Sequence, residues 1–168
     1  SLEIGRGFVL KNRSLLAAMT NKQSNEDGTL SDEEINWLVR RAKGDFGITT
    51  TAAANVTETG RGWEGEMGVW GDHQLPGLTN MANQLRETGT ISLVQLFHGG
   101  MRAPISINEV QPISASKNTE PGMDGIYTRE MSEQEINSMI ESFTEAAVRC
   151  QKAGFDGVEL HGAHSYLI

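Results

Sequence analysis

The sequence predicts an α/β domain built on a parallel β-sheet. Short apolar or β-branched runs alternate with amphipathic segments, in the order strand, helix, strand, helix, strand, helix, strand. Two of the amphipathic segments open with a serine followed three residues later by a glutamate, which is the pattern of a capping box. Alternation of this kind produces parallel strands joined by right-handed helical crossovers.

The first half of the pattern contains two strands and one helix. Residues 13–19 are predicted as a strand buried on both faces, because leucines and alanines occupy consecutive positions there. Residues 7–12 before it are predicted as a turn. Ser31 begins the first helix, which Gly44 can end, and residues 46–54 form a second strand rich in β-branched side chains.

The second half repeats the alternation. A helix is predicted over Leu75–Glu87, followed by a strand over residues 90–97. The clearest amphipathic helix is predicted over residues 133–152, and the last buried strand over residues 155–160. Cys150 in that helix is expected to be a packing residue.

Two long connections interrupt the alternation. The first, residues 55–72, contains a G-x-G-x-x-G match at residues 60–65, but the dinucleotide-binding pattern needs a tight turn between a strand and a helix. We therefore interpret it as a surface or active-site loop. The second, residues 103–131, is long enough to predict a functional or partner-facing role.

Composition and charge argue against several classes of protein. The 168 residues suit one domain, and 19 glycines beside only 4 prolines indicate many turns rather than disorder. A net charge of -8 without a basic cluster argues against nucleic acid and anionic membrane as partners. No apolar run reaches the ~20 residues of a membrane helix. One cysteine and no secretion-signal pattern at the start make a cytoplasmic location the expectation.

Side chains able to do chemistry follow the predicted strands at their carboxyl ends. Active sites of barrel and open α/β folds form at that edge, so we expect these residues to share one site. They are Thr20, Ala53, Gln95, His98, His161, His164 and Tyr166.

Three interpretations are open for the pair His161 and His164. The first is a metal site, for which no third ligand lies nearby in the sequence. The second is an ordinary hydrogen-bonded loop. The third is catalysis or anion binding, in which the imidazoles stabilise a developing oxyanion and Tyr166 supplies a proton.

Other candidates also have alternatives. Gln95 either braces a neighbouring loop or contacts a polar ligand edge, since leaving a buried amide unpaired costs about 1–3 kcal/mol. Ala53 and the adjacent alanines either pack against a bulky side chain or leave room for a flat ligand. His98 and Arg102 belong either to a loop without a ligand or to the site.

Four stretches of the chain form a recognisable set. They are Leu10-Lys11-Asn12-Arg13 with Ala18-Met19-Thr20, Phe46-Gly47-Ile48 with the alanines that follow, Val94 to Gly100, and residues 153–168. Together they resemble the N-terminal half of the old yellow enzyme family, the FMN-dependent ene-reductases and NADH:flavin oxidoreductases. The resemblance extends over nearly the whole chain.

The resemblance implies FMN as cofactor, reduced by NADH or NADPH. Ala18 and Met19 would pack near the flavin ring, Thr20 and the Ala53 backbone would lie near its carbonyl and N5 edge, and Gln95 would lie at its pyrimidine edge. The chain departs from the family at Ala18, where many members have proline.

The implied substrate is an electrophilic alkene or a similar acceptor, and no metal is expected. His161 and His164 would polarise the carbonyl of an α,β-unsaturated substrate, while hydride from reduced flavin reaches the β-carbon and Tyr166 protonates the α-carbon. Ser165 stands where the family usually has glycine before the tyrosine.

The same resemblance implies a (β/α)8 barrel of the TIM type, of which residues 1–168 would form the N-terminal half with about four β/α units. A complete barrel needs about 250 residues. Half a barrel leaves strand edges and apolar surface uncovered. The alternative function is therefore a catalytically incomplete half-barrel, and we expect a homo-oligomer or association with the missing half.

Overall fold

The computed structural model describes residues 1–5, 7–119 and 128–168. Strands and helices alternate along it as the sequence predicts. The strands are β1 (Leu2–Ile4), β2 (Phe8–Leu10), β3 (Leu15–Leu16), β4 (Ile48–Asn55), β5 (Met67–Gly68), β6 (Ile91–Phe97), β7 (Ile113–Ser114), β8 (Arg129–Glu130) and β9 (Gly157–Leu160). The helices are α1 (Asp32–Ala42), α2 (Leu75–Glu87), α3 (Ile105–Asn108) and α4 (Glu133–Ala153).

The central sheet is parallel, in the spatial order β3-β4-β6-β9. The short strand β5 pairs with the end of β4. Because each main strand enters the sheet in the same direction, all four carboxyl ends lie at one edge. The predicted α/β alternation with a parallel sheet is therefore what the chain adopts.

The hydrophobic core lies between the sheet and helices α1, α2 and α4. Leu38, Leu78 and Val94 represent these layers, and each is at most 2% exposed. Cys150 is buried among them as predicted, and its burial raises the pKa of the thiol to about 12. Successive side chains of a strand point to opposite faces, so Gln95, next to Val94, faces away from this core.

The two outer strands correct two predictions about burial. The first strand was predicted to be buried on both faces, yet β3 is only two residues long and Leu15 is 47% exposed. The last strand was also predicted to be buried, yet Leu160 is 61% exposed. Within the described residues, β3 and β9 each have one neighbouring strand, so one side of each is uncovered.

The capping boxes differ between the two helices. At α4, Ser132 accepts from the N–H of Glu135 and the carboxylate of Glu135 accepts from the N–H of Ser132, as predicted. At α1, Ser31 accepts from the N–H of Glu34 at 3.1 Å, but the Glu34 carboxylate turns inward. Asn21 and Ser24 donate to it there. Burial raises the pKa of Glu34, and these two donors oppose that rise.

The irregular segments contain more structure than the sequence predicts. β1 and β2 form an antiparallel hairpin where a turn over residues 7–12 was predicted. The glycine pattern at residues 60–65 leads to β5 rather than to a helix, which agrees with its rejection as a dinucleotide site. The connection over residues 103–131 contains α3, β7 and β8, while its residues 120–127 lie outside the described part of the chain.

Candidate active site

A cleft of about 350 Å³ opens at the carboxyl edge of the sheet. It is lined by all eight residues for which a cofactor or catalytic role was predicted: Ala18, Met19, Thr20, Ala53, Gln95, His161, His164 and Tyr166. The structure thus brings together side chains that are up to 148 positions apart between Ala18 and Tyr166. Their individual roles remain predictions.

The floor of the cleft is a row of three paired residues on adjacent strands. Ala53 of β4 lies beside Gln95 of β6, which lies beside Glu159 of β9. The register of β4 shifts between Thr50 and Ala53, and the hydroxyl of Thr51 accepts from the N–H of Gln95 at 3.3 Å. This irregularity places the small side chain of Ala53 in the cleft.

Glu159 is a site residue that the sequence reasoning missed. Its Oε1 accepts a hydrogen bond from Nε2 of Gln95 at 2.5 Å. The available signal was a carboxylate between Val158 and Leu160 in a predicted buried strand, where an unpaired charge would be costly. Gln95 therefore braces a residue of the adjacent strand rather than a neighbouring loop, and it also lines the cleft, so its contact with a ligand stays a prediction.

The catalytic candidates form an aromatic cluster above that floor. The ring centroids of His161 and His164 are 5.3 Å apart, and those of His161 and Tyr166 are 5.1 Å apart. Phe97 supports the cluster from below, 4.6 Å from Tyr166 and 5.6 Å from His161. Burial lowers the pKa of His161, the nearby His164 lowers it further, and Glu159 opposes the shift. A neutral imidazole keeps one N–H donor.

The backbone carrying this cluster adopts a conformation that favours glycine. His164 and Ser165 have φ angles of 62° and 56°, so two consecutive residues with side chains are in the left-handed region. Non-glycine residues in this region persist where the surroundings impose it, and they concentrate at functional sites. The segment between the imidazole of His164 and the phenol of Tyr166 is therefore strained.

His98 lies outside the cleft and supports it. The ring is 3% exposed, its Nδ1 accepts from the N–H of Gly100 at 2.9 Å, and its carbonyl accepts from the N–H of Leu167 at 3.3 Å. Burial lowers the pKa of His98 to about 4. These contacts fit the interpretation of His98 as part of a loop without a ligand. Arg102 differs from His98 because its guanidinium lies near the site, 5.9 Å from the ring centroid of Tyr166.

Trp63 is a second residue that was not predicted individually. It lines the cleft and its ring centroid is 5.2 Å from that of Phe97. The loop that carries it, residues 55–72, had been interpreted as a surface or active-site loop, and the position of Trp63 favours the second alternative.

The described residues present neither a metal-binding cluster nor a membrane-spanning helix. Among the described residues, no group of three or more His, Cys, Asp or Glu side chains is arranged to hold a metal ion. In residues 1–5, 7–119 and 128–168, no helix combines the length and apolar character required to cross a bilayer.

Comparison with known proteins gives a consistent result over the whole chain. Residues 2–168 match the family model described as the NADH:flavin oxidoreductase / NADH oxidase family. A probable NADH-dependent flavin oxidoreductase of Bacillus subtilis is 36% identical over 96% of this chain and 43% of its own length. An NADH:acrylate oxidoreductase of Vibrio harveyi is 37% identical over 96% of this chain and 16% of its own length. The chain thus spans less than half of these relatives.

Solved structures extend the similarity to the fold. An old yellow enzyme homologue from Zymomonas mobilis superimposes with a TM-score of 0.88 and 28% identity, covering 95% of this chain and 47% of the other. A 2-naphthoyl-CoA reductase gives a TM-score of 0.93 at 28% identity, covering 99% of this chain and 27% of the other. These similarities confirm the predicted (β/α)8-type architecture, with about four β/α units in the 168 residues.

Proposed function

The chain belongs to the NADH:flavin oxidoreductase / NADH oxidase family, and from that premise we propose that its cleft binds FMN and an electron-poor alkene for NAD(P)H-dependent reduction. The resemblance to the old yellow enzyme family, inferred from the sequence, is confirmed by this match and by the solved structures. The observation that supports the proposal is the meeting of all eight predicted residues in one cleft.

The lining of the cleft fits the ring system of FMN. Ala18 and Ala53 line the cleft and are small enough for a flat ring to approach the backbone, and the amide of Gln95 would face the pyrimidine edge of that ring. Thr20 adds a hydroxyl. None of the described lining residues is lysine or arginine, so these side chains suit the ring rather than the phosphate.

Bound FMN would supply the redox chemistry by accepting a hydride from NADH or NADPH and passing it to the β-carbon of the acceptor. The N–H groups of His161 and His164 hold the carbonyl oxygen of the acceptor and stabilise the negative charge that develops there. The O–H of Tyr166 provides the proton for the α-carbon. Two hydrogens are thus added across the double bond, one as hydride and one as a proton.

The choice of acceptor is supported by the names of two relatives. One is the NADH:acrylate oxidoreductase already described, and another is an NADH:fumarate oxidoreductase of Klebsiella pneumoniae that is 34% identical over 96% of this chain. Acrylate and fumarate both have a double bond conjugated to a carboxyl group. An alkene activated by a carbonyl or carboxyl group is therefore the acceptor class that we propose for this chain.

The proposal is tested by titrating the purified chain with FMN and following the flavin absorbance. We expect saturable but weak binding by the chain alone, and bound flavin that is bleached by NADH or NADPH without oxygen and recovers its colour on adding 2-cyclohexenone. His164→Ala should slow that recovery about a hundredfold, the usual cost of removing one oxyanion donor. The matched control is His73→Ala, because His73 is exposed and lies outside the cleft. Equal recovery in both variants, or no saturable binding of FMN, would overturn the proposal.

A second candidate function, an assembly module without its own activity, is favoured by an apolar groove of about 550 Å³ between α4 and β9. Ile140 and Leu160 line it and are 59% and 61% exposed. Such a patch on an uncovered sheet edge is typical of an interaction surface. We propose a second copy of the chain as the occupant. Sedimentation should then give a dimer that Ile140→Glu dissociates, and a colourless stable dimer would favour this candidate over the enzyme.

A further inference from the structure

We infer that Glu66 is a positioning residue for the substrate side of the cleft, where its buried carboxyl group holds the Gly62–Trp63 backbone and thereby fixes the indole of Trp63 as a wall. The substrate class in this inference rests on the proposed function, whereas the role of Glu66 in fixing Trp63 is independent of it.

Glu66 is an acidic residue with almost no access to solvent. It is 2% exposed, and its Oε2 accepts from the N–H of Gly62 at 2.6 Å. The other carboxyl oxygen, Oε1, is buried and has no hydrogen-bond partner among the described residues, and the positive charge of Arg61 favours the ionised form. Burying a carboxyl group is costly unless it is hydrogen-bonded, so the short bond from the N–H of Gly62 offsets part of that cost. Burial nevertheless raises the pKa of Glu66 well above its usual value.

The segment held by Glu66 presses against the aromatic cluster. A Cβ atom added to Gly62 would lie 3.1 Å from the Phe97 ring, so the backbone of Gly62 is in close contact with Phe97. The next residue, Trp63, packs on the same ring with a centroid distance of 5.2 Å and an angle of 41° between the ring planes. Phe97 in turn contacts Tyr166 at 4.6 Å. A displacement of residues 62–63 is therefore transmitted directly to the side of the cleft that contains the catalytic candidates.

The ring contacts of Trp63 lead to the catalytic candidates. Trp63 packs on Phe97, and His161 and Tyr166 both pack on Phe97. Loss of the Glu66 contact should consequently alter the binding of the acceptor more than the binding of FMN. A purely structural glutamate would lower stability and change neither selectively.

The first test measures the position of Trp63 without any ligand. In a Trp37→Phe and Trp70→Phe background, Trp63 is the remaining tryptophan of the three in the sequence. Acrylamide quenching of its fluorescence should increase about threefold in Glu66→Ala, because the hydrogen bond from the N–H of Gly62 is lost, and less in Glu66→Gln, whose side-chain carbonyl can still accept it. Glu64→Ala is the matched control, since Glu64 is exposed in the same loop. Equal quenching in Glu66→Ala and Glu64→Ala would overturn the inference.

The second test uses FMN and 2-cyclohexenone with the loaded protein. Glu66→Ala should raise the KM for 2-cyclohexenone about tenfold while the Kd for FMN stays within about twofold of wild type. In a Trp63→Ala background the same change should have no further effect on KM, because residues that act through one another are not additive. The role of Trp63 would be refuted if the two substitutions raised KM additively. It would also be refuted if Glu66→Ala raised the KM for 2-cyclohexenone and the Kd for FMN by the same factor.

A third measurement needs no variant and remains decisive if Glu66→Ala fails to fold. In wild type, the amide of Gly62 should exchange with solvent at least about tenfold more slowly than that of exposed Glu64, because it donates to a buried carboxyl group. Similar exchange rates would overturn the inference. Absence of FMN binding would defeat the proposed function, while quenching and exchange would still decide the role of Glu66.

Discussion

Gly100→Ala tests whether the loop after β6 sets the position of Tyr166. Gly100 has a φ of 54°, and a Cβ atom added there would lie 2.5 Å from the backbone nitrogen of Leu167 and 2.6 Å from the carbonyl carbon of Tyr166. An ordinary contact begins near 3.4 Å, so the backbone of residues 166–167 has to move by about 0.9 Å. Backbone atoms cannot rotate away as a long side chain can.

Two separate costs are expected from this substitution. An alanine in the left-handed region costs about 1–2 kcal/mol of stability. A displacement close to 1 Å of a reacting group costs about a hundredfold in rate, so the reduction of 2-cyclohexenone by the FMN-loaded chain should fall by that factor. Tyr166→Phe should cause a similar loss, and combining it with Gly100→Ala should add little, because both changes remove the same proton donor.

Gly89→Ala is the matched control for the backbone cost. Gly89 also has a left-handed φ, 70°, but an added Cβ atom there meets nothing within 4 Å. Gly89→Ala should therefore lower the free energy of unfolding in urea by about 1–2 kcal/mol and leave the rate of 2-cyclohexenone reduction unchanged. Gly100→Ala should lower the free energy of unfolding further and reduce the rate as well. If the two variants unfold at the same urea concentration and turn over equally, the proposed contact does not position Tyr166.

Three further predictions concern stability. Ser165→Gly should raise the free energy of unfolding by about 1 kcal/mol, because serine is strained at its φ of 56°. A lower free energy of unfolding in urea than that of wild type would contradict this strain. The unfolded chain protonates His98 near pH 6.5 but the folded chain only near 4, so stability should fall by about 3 kcal/mol as pH drops through this window. His98→Gln should remove that slope, and a slope that persists would assign it to other groups. Hydrogen bonds from Arg129 and from Ser132 lower the pKa of Glu135 to about 2, so its stabilisation of α4 should be complete above 4.5 and disappear as pH falls towards 2. The difference in free energy of unfolding between wild type and Glu135→Gln should narrow over that range. A constant difference would argue against stabilisation of α4 by the ionised Glu135.

Local sequence pattern was sufficient for most of the framework. The bounds of α2 match the prediction, and the capping box at Ser132 forms, because both depend on residues close together in the chain. Six of the eight predicted residues that line the cleft were expected at the carboxyl ends of strands, because parallel strands bring those ends to one edge of the sheet. Ala18 and Met19 were added by the resemblance to the old yellow enzyme family. The place of the site could therefore be predicted from the sequence, while the role of each residue stays a prediction.

Contacts between distant residues decided the rest. Glu34 matches a capping box in the sequence, yet donors from Asn21 and Ser24 draw it into the interior. Glu159 pairs with Gln95 from 64 positions away. The exposure of Leu160 depends on which strands flank β9. Propensity and periodicity describe a residue and its near neighbours, so pairings across the sheet, and the surface that the outer strands leave uncovered, appear only once the chain has folded.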